Sequence, residues 1–260
     1  VNDFKITNIE EDGGAGTRSV KDILNLSLNT GATWELMQMG GGQINLKARQ
    51  AWYDYLANHY LFGHETGLEQ GYEATGYVPK PEENGAGINL TYANTAFGQA
   101  MTATPMQMGA ALSAVVNGGT YYKPHLVAKT IDHTGKTTKV GPDVVKRDVV
   151  SARTSQAMIP LMQYVVANHT FVPAFDLNNY IVGGKTGTAQ IAKPGGGYYD
   201  NQFNGTYIGF VGGDSAQYVI VVFVQKPTNG GYAGTAAAQP IFGNLAHMLI
   251  NNSYVTPKKQ

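Results

Sequence analysis

The sequence predicts an α+β fold on two observations. Residues 1–180 carry apolar side chains mainly at helical spacing, broken by capping residues and glycine-rich stops. After residue 180 come three β-type runs at hairpin distances and then one more helix-type stretch. Helices, an antiparallel meander and a closing helix follow one another in the α+β order. A chain of 260 residues suits one large domain. We therefore read 1–180 as the mainly helical part of a single domain and 181–260 as its sheet and terminal helix.

The elements follow in order. Glu11–Gly16 is a glycine-rich turn. Ser19 to Ser27 reads as a short helix with a Ser or Thr N-cap and Ile23, Leu24 and Leu26 on one side. A second helix spans Gly31 to Met39 and stops at Gly40-Gly41-Gly42. Asn45–Phe62 reads as one longer helix, and Gly63–Gly87 as turns and loops. Thr104 caps a helix that has Pro105 at its first position and Gly118-Gly119 after its end. Its stripe Met108, Ala111, Leu112 and Val115 is the expected buried face. Tyr121–Ile131 is extended, Lys136–Val140 returns after a turn, and Ser151 caps a helix to Ala167. Ile181–Ala192, Thr206–Gly212 and Tyr218–Gln225 are the paired strands, and Thr235–Ile250 is the last helix.

Composition removes several function classes. Lys plus Arg and Asp plus Glu number 18 each, so there is no basic excess for nucleic acid. Charged residues make up 14%, against ~25% in an average soluble chain. Cys is absent, which excludes disulfides, thiolate metal sites and Cys nucleophiles. The longest strongly apolar run, Tyr218–Val224, is far short of the ~20 residues of a spanning helix. The first residue is Val1, not Met, and we expect further sequence upstream of it. His59 and His64, five apart, do not share a helix face and read as solvated loop residues; no metal site and no cofactor is expected. Glu82-Glu83 reads as a solvated turn.

Gly-Lys-Thr occurs at Gly135-Lys136-Thr137 and at Gly184-Lys185-Thr186. A phosphate loop needs a Gly five residues earlier, where Thr130 and Asn179 stand, so neither triplet qualifies. The second triplet lies in Val182-Gly183-Gly184-Lys185-Thr186-Gly187-Thr188, on an expected strand. Small residues there let a ligand backbone approach, and a Lys between small residues and two Thr hydroxyls suits a carboxylate. Alone, the same run is also a glycine-rich hairpin strand with a solvated Lys. Earlier in the chain stands Ser27-Leu28-Asn29, between two short helices.

Together, Ser-x-Asn and Lys-Thr-Gly belong to the signature set of serine β-lactamases and penicillin-binding proteins. Ala96-Phe97-Gly98-Gln99 with Thr104-Pro105-Met106-Gln107 resembles a block of penicillin-binding transpeptidases. Asn117-Gly118-Gly119 to Val127, Phe62-Gly63 to Leu68 and Glu73 to Pro79 resemble further blocks, in family order. Tyr207–Gly212 and Tyr232 to Phe242 are similar to the closing strands and last helix. The pattern is most similar to the monofunctional, class B members. The resemblance implies the β-lactamase-like transpeptidase fold, an antiparallel sheet flanked by helices.

The family's nucleophile lies in Ser-x-x-Lys, where a Lys one helical turn away takes the Ser proton. No Ser of this chain has Lys three places on. Thr120-Tyr121-Tyr122-Lys123 has the spacing but sits on an extended segment. The resemblance thus implies the C-terminal portion of a transpeptidase domain, without its first strands and nucleophile helix and inactive by itself. A companion chain or upstream segment is expected to supply them.

By resemblance, the completed enzyme is a peptidoglycan D,D-transpeptidase acting on stem peptides and binding β-lactams. Ser27 relays protons, Asn29 holds the substrate amide or the catalytic Lys, and Lys185 sustains a positive field. Thr186 and Thr188 bind the carboxylate, Gly187 allows close approach, and the Thr188 N–H forms half of an oxyanion hole. An extracytoplasmic location follows, with the membrane anchor outside this chain. The alternative is a catalytically inactive envelope scaffold or β-lactam sensor of the same fold. Gly195-Gly196-Gly197-Tyr198-Tyr199 reads either as a substrate-facing loop or as a plain hairpin connection.

Overall fold

The computed structural model describes residues 1, 3–8, 16–82, 87–228 and 231–259. Most of the expected Glu11–Gly16 turn, and Glu83 of the Glu82-Glu83 pair, lie outside these residues.

Helix α1 (Val20–Leu26) begins with a capping box in which the Asp22 N–H donates to Ser19 Oγ and the Ser19 N–H to Asp22 Oδ2. Helix α2 (Asn29–Met39) starts two residues before the expected Gly31. The reason is tertiary: the Thr30 N–H donates to Asn8 Oδ1 at 2.9 Å, so the N-terminal segment supplies the cap that Leu28 lacks. The expected single helix Asn45–Phe62 is α3 (Leu46–Tyr53) running on into a π-helical turn, Asp54–His59. It ends at His59 with Tyr60 as its C-cap, and Leu61 just beyond has φ +58°. Helix α4 (Ile88–Ala96) was not anticipated; Trp52 Nε1 donates to its Thr95 Oγ1 at 3.0 Å.

Helix α5 (Pro105–Val116) has the Thr104 cap and the Pro105 start that the sequence announces. Its burial is wider than the expected stripe: Ala111 and Leu112 are buried, Met108 and Val115 only partly, and Gln107, Ala110, Ala114 and Val116 are buried as well. The helix is enclosed by the sheet on one side and by the loops after α3 on another. Tyr121–Ile131 is not one strand. Strand β1 (Tyr121–Tyr122) pairs with β4 (Val144–Lys146), and β2 (Lys129–Ile131) pairs with β3 (Thr137–Lys139), as two separate small sheets. Helix α6 (Ala152–Ala167) is capped by Ser151 as expected.

The main sheet has the order β5 (Ile181–Ala192), β6 (Tyr198–Gly212), β7 (Ala216–Gln225), all antiparallel. Strand β6 begins eight residues before the expected Thr206. The Lys193 N–H donates to Gly197 O, so Gly195-Gly196-Gly197 is the turn of a long hairpin. The predicted last helix opens with a π-helical segment, Gly234–Ala238, and continues as α7 (Gln239–Asn251).

Two apolar layers hold this sheet. On one face Leu112 and Val116 of α5 and Met162 of α6 meet Ile181 and Phe210. On the other, Phe242 and Ala246 of α7 meet Val182, Tyr207, Val211 and Val222. Tyr207 and Phe242 stack at 4.2 Å between ring centroids, an arrangement favoured for aromatic pairs. The α+β expectation holds, with the sheet between helices on both faces.

Candidate active site

Strand β5 is paired on one side only among the described residues, and it carries the Lys-Thr-Gly run along that edge. Alternation sets the faces. Lys185 lies opposite Ile208 and so projects on the α5/α6 side, whereas Thr186 lies opposite Tyr207 on the α7 side. Lys185 is partly buried, and its Nζ donates to Thr186 O at 2.9 Å and to Thr186 Oγ1 at 3.3 Å. Burial disfavours the ammonium form and brings the Lys185 pKa down to about 8. A cation held this close to neutrality can both attract a carboxylate and exchange a proton.

The glycines around Lys185 have packing reasons. A Cβ on Gly183 would run into the Phe210 ring and Met162, and one on Gly184 into the Tyr207 ring. At Gly187 the space is taken by Thr206 Oγ1, and Gly234 of the π-helical segment packs against the Gly187 backbone. Thr188 is exposed, and its Oγ1 accepts from the Gly234 N–H at 2.9 Å. That bond ties the end of the motif to the start of the last helix.

Ser27 and Asn29 lie at the junction of α1 and α2, and α1 packs against α6. Ser27 ends α1 in the left-handed conformation, φ 56° and ψ 47°, and is exposed. Such a conformation is uncommon for a residue other than Gly. Asn29 is the first residue of α2, and its Nδ2 donates to Thr7 O at 3.1 Å. The link to β5 runs through packing: Leu24 of α1 sits with Met158, Ile159 and Met162 of α6 and with Ile181 of β5. The Lys21 ammonium lies 4.3 Å from the Tyr164 ring centroid. Among the described residues no hydrogen bond or ion pair joins Ser27 or Asn29 to Lys185.

One neighbour of Lys185 escaped the sequence reading. His169, just after α6, has its pKa lowered by burial and by the Lys185 charge, and its buried Nδ1 has no hydrogen-bond partner. Nothing in the local sequence marks it, because only the packing of α6 on β5 brings it there. The loose histidine pair resolves differently from the expectation. His59 is not a solvated loop residue: its Nδ1 bonds Val149 O at 3.0 Å, and its Nε2 lies 3.4 Å from Asp54 Oδ2. His64 is exposed. No group of three or more metal-ligating side chains occurs among the described residues. A cavity of about 240 Å³ lies between Phe171–Pro173 and α7, and Ser27, Asn29 and Lys185 do not line it.

Comparison with known proteins identifies relatives of the chain. Stage V sporulation protein D of Bacillus subtilis is 35% identical over 248 residues, covering 95% of this chain and 36% of that protein. Penicillin-binding protein PbpB of Mycobacterium tuberculosis is 32% identical over 215 residues, covering 79% of this chain and 31% of its own. The crystal structure of penicillin-binding protein 3 from M. tuberculosis superposes with a TM-score of 0.75 at 27% identity, covering 92% of this chain and 52% of that one. The chain thus spans about a third of the length of these curated relatives. The family model described as the penicillin binding protein transpeptidase domain matches residues 1–247, and the chain belongs to that family.

Proposed function

We propose that this chain is the part of a peptidoglycan D,D-transpeptidase that binds the stem-peptide carboxylate and moves protons. A segment outside its 260 residues supplies the Ser-x-x-Lys nucleophile. The observation that carries the reading is Lys185: a desolvated ammonium on an open strand edge, beside the Thr186 and Thr188 hydroxyls. A stem peptide lies along that edge with its terminal carboxylate toward Lys185, Thr186 and Thr188. The nucleophilic Ser attacks the penultimate D-Ala carbonyl, and the Thr188 N–H holds the developing oxyanion. The C–N bond breaks, and the departing D-Ala amine takes a proton relayed by Ser27. An amine from a neighbouring stem then attacks the acyl-Ser ester, gives up its proton along the same relay, and frees the Ser as the cross-link forms.

A β-lactam follows the first half of this sequence and stops at the acyl-enzyme. In support, the M. tuberculosis relative also has a structure complexed with ampicillin, with a TM-score of 0.74 at 26% identity. The reading places the protein outside the cytoplasmic membrane, anchored by a segment beyond this chain. No helix among the described residues is long and apolar enough to cross a membrane.

A second reading, a catalytically inert scaffold or β-lactam sensor, is favoured by one observation. The Asn29 amide is engaged with the Thr7 carbonyl and not with Lys185. Fluorescent penicillin separates the enzyme from the inert scaffold, and turnover of a D-Ala-D-Ala stem peptide separates it from the sensor. The intact protein labels covalently, Lys185→Ala reduces the labelling rate by ~10²-fold or more, and the 260-residue chain alone does not label. Labelling of Lys185→Ala at the wild-type rate refutes the role of Lys185. An intact protein that never labels is the scaffold.

A further inference from the structure

The zero net charge of the chain conceals an uneven distribution. Residues 121–146, from β1 to β4, hold five lysines and two aspartates, so the remainder carries the negative excess. Every residue of β2 and β3 is exposed, and the two strands form a sheet of their own. The register sets Lys129 directly opposite Lys139, with Ile131 opposite Thr137 two positions along the same face. Like charges directly opposed across a ladder are destabilising.

No ion pair among the described residues involves Lys129 or Lys139; Glu69, which faces Lys123 and accepts from the Leu126 N–H, sits at the start of the segment. The ion pairs among the described residues are His59–Asp54 and Lys193–Asp200. Asp132, the acidic residue of this hairpin, is occupied by its own turn. It accepts from the Thr134 N–H, the Thr134 hydroxyl and the Lys136 N–H. Exposed aliphatic side chains stand among the lysines: Leu126 at 65%, Ile131 at 61% and Val145 at 51%.

Lys is depleted at protein–protein interfaces, so this surface is poorly suited to a folded partner. Cationic and aliphatic side chains intermixed on an exposed face suit an anionic lipid surface. The ammonium groups meet headgroup phosphates while the aliphatic groups enter the acyl boundary. We propose that the β2–β3 hairpin docks on an anionic phospholipid surface, with Lys129 and Lys139 on the phosphates and Ile131 inserted. The proposal does not depend on the enzymatic reading.

Vesicle flotation of the 260-residue chain tests it, since protein aggregates stay at the bottom of the gradient. The chain is expected to float with phosphatidylglycerol–phosphatidylcholine vesicles and not with phosphatidylcholine alone, and to be released by salt. The double variant Lys129→Gln/Lys139→Gln weakens binding about thirtyfold, from the loss of two surface cations. Ile131→Ser weakens it with the salt dependence retained. All three positions are exposed, so the variants stay folded, and the double variant melts no lower than the wild type because its opposed charges are gone. Equal flotation with neutral vesicles, or undiminished binding by the double variant, overturns the proposal. So does Ile131→Ser that floats as wild type, or a chain that binds soluble polyglycerol phosphate but no vesicle; the face then reads polyanions, not lipid.

Discussion

The proton on Lys185 couples the candidate site to stability. Its pKa is about 8 in the folded chain against an ordinary 10.5, lowered by burial. Between those values the unfolded chain binds a proton that the folded chain has released, so stability rises with pH across that window. Below about pH 8 both states are protonated and this contribution is flat. Denaturant unfolding should therefore show the wild type gaining stability relative to Lys185→Met from about pH 8 toward 10.5. Parallel curves across the window refute the lowered pKa. Ser27 offers a second, separable readout. Its left-handed backbone at the end of α1 costs an L-residue about 1 kcal/mol that Gly does not pay. Ser27→Gly should raise the melting temperature while Ser27→Ala does not, and both should lose penicillin labelling in the intact protein. Backbone strain and hydroxyl chemistry are thereby told apart at one position.

Among the elements, α5 shows what a motif block does physically. Gln107 is fully buried, and its Nε2 donates to His64 O at 2.7 Å and to Thr75 O at 2.8 Å. Its Oε1 accepts from the Thr104 N–H, closing the capping box. One side chain thus starts the helix and staples the loop around residues 64–75 to it. Gln107→Leu takes the partner from the His64 and Thr75 carbonyls and from the Thr104 N–H, and should cost roughly 1–3 kcal/mol by chemical denaturation. A loss below about half a kcal/mol refutes the staple. The boundaries of α5 and α6 were legible because Thr104, Pro105 and Ser151 act through local chemistry. The strand identity of β5 and β7 was legible from β-branched and small residues bounded by turns. Helix α4 was not, because its N-cap position is Gly87 with no side-chain bond, and its buried Tyr92, Ala93 and Thr95 present no clear stripe. The first half of β6 is polar and non-alternating, and pairs because the hairpin turn at Gly195–Gly197 carries it back along β5. Within the site, Lys185 and its small neighbours were readable as a motif. His169 beside it, and the hold of Thr7 on Asn29, are tertiary contacts without local pattern.

At the scale of the molecule, helices cover both faces of the sheet but its edges are open. Among the described residues β5 and β7 each have one partner, β6. On β5 the open edge is where the stem peptide is proposed to lie. On β7 it has no such occupant, yet the strand is ten residues long, reads Ala216 to Gln225 without a charge, and leaves Tyr218 and Phe223 exposed. Long apolar edges without charge or proline pair with other chains. The isolated chain should therefore associate in a concentration-dependent way, measured by sedimentation velocity. Phe223→Lys, on the edge strand opposite Thr206 and 48% exposed, should suppress the association. If the segment that brings Ser-x-x-Lys also covers β7, adding it should abolish association and create penicillin labelling in the same titration. Labelling that appears while association persists would place the nucleophile elsewhere than on a segment seated at β7. A chain that stays monomeric at all concentrations would show that the β7 edge does not pair with other chains and would refute the association argued from it.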